Sequence, residues 1–371
     1  MASPNIIDLE RLLAPISEES PAGDDIRRDS SPTSTYQTIK AARSGARAAE
    51  RKSVHDGDTQ EADQYWREVL ELAPEILATQ SKDLEIASWY TEALLRRYGF
   101  QGLRDAFQLL HEMVDRFWDG LHPMPDEDGL ETRTAPLAGL NGEGAEGVLI
   151  APIRKVPITE GQPPGPFSYW QYQQALEIEK VSDEETRLSK RDKLGFDLED
   201  IEKAVNESTD EFFLNQREDL EQCLEYFKAC GQLLDEHCGA HDAPPTRNII
   251  DILEECQGAI KHIGKDKYAG LDGAAHNAVA DEQPTDDSGN GAAPVQSNAP
   301  KAGMDRDYAL RQLKEISEFF RKTEPHSPIS YVLQKAVKWG NMSLDQLIME
   351  LIPDSSSRAH FSELTGVEVD E

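Results

Sequence analysis

Residues 264–304 form a long stretch without hydrophobic periodicity, and this stretch divides the 371-residue chain into two unequal parts. Its centre, residues 281–291, contains four acidic residues and no apolar residue. A segment of this composition cannot bury enough apolar surface to offset the conformational entropy that is lost on ordering. The sequence therefore predicts a flexible acidic linker over 264–304, with folded parts before and after it.

Helical periodicity is strongest over residues 61–119. Ser81 is placed to cap a helix that runs to Gly99, and a second helix carries apolar residues from Leu103 to Trp118. Glycine takes the left-handed conformation that ends helices at little cost. Two helices joined by so short a turn are predicted to form an antiparallel hairpin.

The pattern changes after residue 120. Two short runs, 148–150 and 153–158, are separated by Pro152 and read as extended, which predicts a small β-hairpin or irregular extended arm. Helical periodicity returns over 197–263. The predicted fold is therefore mainly α, with four parts: a helical amino-terminal domain with the extended arm (1–164), a middle helical region (165–263), the disordered linker (264–304) and a small C-terminal three-helix oligomerisation module (305–371).

The charge balance limits the kinds of partner that the chain can have. Asp and Glu number 70 against 38 Lys and Arg, which gives a formal net charge of -32. Such a surface repels phosphate backbones and anionic lipid headgroups. No apolar run approaches the ~20 residues of a membrane span, and no signal peptide is apparent. We therefore expect no nucleic-acid partner and no direct membrane insertion. The four cysteines give no disulfide framework, which favours a reducing, cytoplasmic location.

No motif in the chain indicates catalysis, a cofactor or a metal. Residues 142–147 spell a dinucleotide-binding fingerprint, but a loop precedes them, and Glu143 and Glu146 would repel a pyrophosphate. The cysteines at 223, 230 and 238 lie along one helical face, a spacing typical of core residues rather than of a zinc site. We predict no catalytic, cofactor-binding or metal-binding residue, while a hydrolase with an unrecognised site stays an alternative.

The C-terminal module is the main candidate for an interaction surface. Its helices are predicted over 306–322, after a cap at Ser327, and after a capping box that begins at Ser343. A module this small cannot cover all of its aromatic side chains, and uncovered aromatic residues are favoured at subunit interfaces. The alternative is an ordinary small core with partly exposed aromatic residues. The predicted interface residues are Phe320, Glu324, Pro325, His326, Pro328, Tyr331, Trp339, Leu344, Leu347, Ile348 and Leu351.

A second surface is defined by Arg43, Arg47 and Arg51, which recur every four residues in the most basic stretch of the chain. This stripe is interpreted either as a solvated helix face or as a docking patch.

Several separate blocks resemble the ImpA amino-terminal domain of the TssA proteins of bacterial type VI secretion systems. In chain order, the blocks are PAGDDIR (21–27), SKDLEIASW (81–89), EALL (92–95), GFQGL (99–103), FWDGLHP (117–123), DEDG (126–129) and LNGEG (140–144). Near the C-terminus, TEPHSP (323–328), Tyr331, Ala336 and the Trp339-Gly340 turn resemble the C-terminal module of short TssA proteins.

The resemblance implies a non-enzymatic assembly factor with no shared catalytic residues. It implies a homo-oligomeric ring, a dodecamer or another multiple of six, formed by the C-terminal module. It also implies contacts with baseplate, tube and sheath proteins, in the bacterial cytoplasm at the membrane-anchored apparatus. The short module favours a baseplate-associated role over a sheath-distal cap, and a monomeric adaptor or chaperone is the other alternative.

Overall fold

The computed structural model describes residues 3–127, 129–239, 242–268, 306–323, 329–340 and 342. The chain divides into two compact units, Met1–Pro284 and Thr285–Glu371. We call them the first and second units and describe each by itself.

The first unit is helical, as the sequence predicts, and its described residues form isolated bridges but no β-strand. Two single 3-10 turns accompany the helices, at Ile26–Arg28 and Trp118–Gly120. The α-helices are α1 (Leu9–Leu12), α2 (Thr35–Asp56), α3 (Gln60–Thr79), α4 (Leu84–Phe117), α5 (Glu131–Asn141), α6 (Ile150–Arg154), α7 (Tyr169–Glu179), α8 (Glu184–Leu194), α9 (Leu198–Glu207), α10 (Asp210–Cys238) and α11 (Arg247–Ile263).

Helix α4 is broken at the glycine that the sequence indicates. Gly99 has φ 60° and ψ -139°, a conformation that side chains with a Cβ rarely adopt. The two halves of α4 meet tightly just beyond the break, because a Cβ atom built on Gly102 would lie 2.5 Å from the Leu94 carbonyl oxygen. The helix is capped by Asp83 and not by Ser81, since the Asp83 carboxylate accepts the backbone N–H groups of Glu85 and Ile86.

The second half of α4 packs against α10, which comes from the predicted middle region. Phe107 and Phe227 place their ring centroids 4.6 Å apart, and Cys223 and Cys230 are buried in the same core. Residues predicted to form a separate amino-terminal domain and middle region therefore share one hydrophobic core.

The predicted extended arm is wrong at its centre, where residues Ile150–Arg154 form α6. Pro152 lies in the first turn of this helix, where the missing N–H costs no hydrogen bond. Ile150 and Ile153, three positions apart, are both buried on one face. Extended pairing is limited to the following residues, where the Ile158 N–H donates to the Phe167 carbonyl at 2.8 Å.

The folded first unit continues into the stretch predicted as linker. Tyr268 is buried, its ring lies edge-on to Phe213 at 6.3 Å, and its hydroxyl donates to the Phe213 carbonyl at 3.3 Å. The remainder of the predicted linker, 269–304, lies outside the described residues.

The second unit contributes two described helices, α12 (Arg306–Thr323) and α13 (Ile329–Gly340). They meet where the buried Ser317 hydroxyl donates to the carbonyl of buried Ser330 at 2.9 Å. The third predicted helix, which begins after Ser343, lies outside the described residues. Among the helices that the structure describes, none is long and apolar enough to cross a membrane.

Candidate protein-interaction site

Four large apolar side chains of the C-terminal helix pair are exposed, and we call them the exposed apolar residues. Ile316 and Phe319 on α12 are 44% and 60% exposed, and Tyr331 and Val332 on α13 are 62% and 64% exposed. All four lie within two residues of the serines that join the helices. Full burial of one such side chain is worth ~1.5–3 kcal/mol, so this surface gains from a covering partner.

The predicted interface residues fall into three groups. Tyr331 is exposed as expected, whereas Phe320 and Trp339 are half-buried, the latter with the Lys335 ammonium 4.9 Å from its ring. Phe319 and Val332 are more exposed than either half-buried residue, although neither is among the predicted interface residues. The remaining predicted residues lie outside the described part of the chain: Glu324, Pro325, His326, Pro328, Leu344, Leu347, Ile348 and Leu351.

The arginine stripe on α2 is split by the fold. Arg43 donates to the Glu92 carboxylate at 2.9 and 2.7 Å and lies 5.9 Å over the Trp89 ring. Glu92 is buried, so Arg43 neutralises an interior charge and belongs to the packing of α2 on α4.

Arg47 and Arg51 instead line an open groove with a volume of about 1220 Å³. Burial lowers the pKa of Arg47, and the positive charges of Arg43, Arg96 and Arg51 lower it further against the opposing attraction of Glu92. The structure therefore separates the stripe into one structural arginine and two arginines of a groove wall.

Three of the sequence blocks converge on one buried network. The Lys82 backbone N–H donates to the Ala22 carbonyl at 2.7 Å, and the His122 N–H donates to the Lys82 carbonyl at 2.9 Å. Arg27 from the opening block forms ion pairs with Asp83 and Glu85. The blocks at 21–27, 81–89 and 117–123 are thus joined at the start of α4.

The Lys82 side chain is fully buried at the centre of this network. Its ammonium donates to the carbonyls of Leu12 and Leu77, both at 2.6 Å, and lies 5.5 Å from the Phe117 ring. Burial lowers the pKa of Lys82 to about 8. These contacts hold backbone segments together, which is the chemistry of a structural lysine. Within the described ranges, no three His, Cys, Asp or Glu residues are grouped in a way that could hold a metal ion.

Known proteins are similar to this chain both in sequence and in fold. Residues 13–142 match the family model described as ImpA, N-terminal, type VI secretion system. The chain is similar to type VI secretion system component TssA1 of Pseudomonas aeruginosa, with 26% identity over 369 residues, 98% of this chain and 99% of that protein.

A solved structure agrees with these matches. The N-terminal domain of the TssA component from Burkholderia cenocepacia, which includes the conserved ImpA_N region, superposes with a TM-score of 0.58 and 28% identity. The match covers 70% of this chain and 94% of that one. Residues 13–142 thus carry an ImpA amino-terminal region, and the chain is similar to TssA proteins over nearly its whole length. This similarity supports a structural component of a type VI secretion system.

The ImpA match at 13–142 contains Lys82 and both α2 and α3. The lowered pKa of Lys82 should make the free energy of unfolding depend on pH. Because the folded pKa is about 8 and an unfolded lysine titrates near about 10.4, the unfolded state binds more protons between these values. Stability contributed by Lys82 therefore rises with pH across this window.

We expect the stability of the unmodified chain relative to a Lys82→Met variant to rise by about 2 kcal/mol between about pH 7.5 and about pH 9.5. Urea unfolding of both proteins at each pH measures this difference, and the subtraction removes the titration of tyrosines and cysteines that both proteins share. A difference that stays constant with pH would show that Lys82 has an ordinary pKa in the folded protein.

Proposed function

We propose that this chain is a non-enzymatic assembly scaffold that forms a multimeric ring through its C-terminal module and contacts baseplate, tube and sheath components in the cytoplasm. The observation that carries the proposal is the exposure of Phe319, Tyr331 and Val332 on the C-terminal helix pair. Large aromatic and aliphatic side chains that stay exposed in a small helical unit are typical anchors of protein interfaces.

A second copy of the chain is the partner that best suits these exposed side chains, because the chain consists of two units. A surface that is not self-complementary about a twofold axis closes into a ring when the rotation between copies is suitable. Each copy in such a ring presents a first unit, so several partner-binding surfaces become linked and gain avidity without any new contact. This arrangement suits a scaffold that gathers several components of a contractile apparatus, and the short module favours the baseplate over the distal end of the sheath.

Capture of the separately purified baseplate, tube and sheath components tests this function. The full chain should retain baseplate components more strongly than a chain that ends at residue 284, because only the full chain is multivalent. The truncated chain is a matched control, since the first unit keeps its whole hydrophobic core. Retention of sheath components alone would favour a sheath-distal cap, and equal retention by both chains would contradict a scaffold that depends on multivalency.

A further inference from the structure

The groove that contains Arg47 and Arg51 is a concave surface of the first unit. The proposed ring forms through the C-terminal module and does not use this groove. Its walls come from α2, α3, the break in α4, the end of α6 and the first turns of α10. Its volume of about 1220 Å³ exceeds the usual range of small-molecule pockets, roughly 300–1,000 Å³. A site of this size and openness suits an extended ligand that runs along it.

Four cations that line this groove make no hydrogen bond or ion pair with a carboxylate among the described residues. They are Arg47 and Arg51 on α2, Arg97 beside the break in α4, and Lys155 after α6. Arg97 does contact an aromatic ring, with its guanidinium carbon 5.9 Å from the Tyr98 centroid. Cations drawn from three separate elements therefore face one space.

The carboxylates of the same groove are mostly neutralised within the protein. Glu50 pairs with Arg96, Asp219 pairs with buried Arg104, and Glu146 pairs with Arg154 at 2.7 Å. Asp63 accepts a hydrogen bond from the Thr59 hydroxyl and forms no ion pair with a cation of the groove among the described residues. The local balance is thus positive although the whole chain carries a net charge of -32.

Apolar groups lie between the cations. Tyr98 is 41% exposed, and Val148 and Phe212 are half-buried at other points of the lining. A ligand that alternates carboxylates with apolar side chains would satisfy both sets of groups. A nucleic acid would also extend beyond the groove over a strongly acidic surface, where its phosphates would be repelled.

We propose that this groove binds an extended acidic peptide segment of a partner protein. The long-range repulsion from the acidic surface is screened beyond a Debye length of about 8 Å at physiological salt, so the four nearby cations dominate once the segment has entered. Arginine suits this role because its planar fork binds carboxylates through two parallel hydrogen bonds. The inference does not depend on ring formation, and it assigns Arg47, Arg51, Arg97 and Lys155 to recognition.

Fluorescence anisotropy with a defined probe tests the proposal on the full chain. The probe is a labelled peptide of alternating glutamate and leucine, and its control replaces every glutamate with glutamine. We expect the acidic probe to bind at least about tenfold more tightly than the control, and this preference to shrink as salt shortens the Debye length. Equal affinities would overturn the proposal.

Matched charge variants locate the binding. Arg47→Gln/Arg97→Gln should weaken binding of the acidic probe by about tenfold, because the variant removes two cations that pair with the carboxylates of the probe. Arg67→Gln/Lys261→Gln removes two exposed cations outside the groove and should change the affinity less than about twofold. Equal losses in the two double variants would show nonspecific attraction and would overturn the assignment.

Two further measurements separate other occupants from a partner peptide. A single-stranded oligonucleotide that binds more tightly than the acidic probe, and does so through Arg47 and Arg97, would assign the groove to nucleic acid. A variant that neutralises Asp281, Glu282, Asp286 and Asp287 should bind the probe with unchanged affinity. Binding that appears only in this variant would mean that the chain's own acidic segment occupies the groove. That result would contradict a partner peptide as the occupant.

Discussion

Replacing Arg104 with methionine should lower the free energy of unfolding of the first unit by about 3–5 kcal/mol. Arg104 is buried and donates to Asp105 at 2.9 and 2.7 Å and to Asp219 at 2.6 Å. It also donates to the Ser3 carbonyl at 2.6 Å. The variant leaves two buried carboxylates without their shared cation, and this loss is far larger than that of a surface ion pair.

The same network fixes the amino-terminal segment on α4 and α10. The Asp105 carboxylate accepts the Ile6 N–H at 2.6 Å, and the Asp219 carboxylate accepts the Ser3 hydroxyl at 2.6 Å. Burial already raises the pKa of Asp219, against the opposing effects of its Ser3 and Arg104 contacts. Loss of Arg104 should raise that pKa further. A raised carboxylate pKa favours the folded state at low pH, so the destabilisation should be smaller near about pH 4.5 than near pH 7.

Urea unfolding of the unmodified chain and of Arg104→Met, followed by far-ultraviolet circular dichroism, measures this effect. Arg116→Met is the matched control, because Arg116 lies on the same helix and pairs with Glu112 at a side-chain exposure of 51%. The control should lose less than about 1 kcal/mol. Similar losses in the two variants would show that the buried network adds nothing beyond an exposed pair.

The second large effect concerns assembly. Tyr331→Asp/Val332→Asp should raise the concentration needed for self-association by about a hundredfold or more, because each substitution places a charge in a contact that we propose to be apolar. Both side chains are more than half exposed, so the folding of the helix pair should be preserved. Sedimentation velocity over a range of concentrations measures the shift.

Gln334→Asp provides the control for this variant. Gln334 is an exposed polar residue of the same helix, so it tests whether added negative charge alone disperses the assembly. We expect Gln334→Asp to assemble like the unmodified chain. Assembly of Tyr331→Asp/Val332→Asp at the unmodified concentration would exclude these residues from the contact.

The helical character of the chain and the glycine break in α4 could be predicted because both depend on local pattern. Gly99 interrupts an otherwise continuous helical periodicity, and the structure places it at φ 60°. The extended arm predicted over residues 150–154 is wrong because a short apolar run beside a proline is compatible with either a strand or a first helical turn. The spacing of Ile150 and Ile153 is the one signal that could have favoured the helix.

The contacts that decide the role of a charged residue could not be predicted from local pattern. Arg43 and Glu92 are 49 residues apart, and Arg104 and Asp219 are 115 residues apart. Periodicity shows which face of a helix a residue occupies, but it does not show which carboxylate packs against that face. For the same reason, the groove that joins Arg47 with Arg97 and Lys155 became visible only once α2, α4 and α6 were packed together.

The central claim is that this chain assembles through its C-terminal module, and the mass of the unmodified full chain in solution tests it most directly. The monomer has a mass of 41.4 kDa. Light scattering coupled to size-exclusion chromatography, at tens of micromolar, should give the mass of an oligomer whose subunit number is a multiple of six. A mass of 41.4 kDa under the same conditions would contradict the ring and would favour a monomeric adaptor.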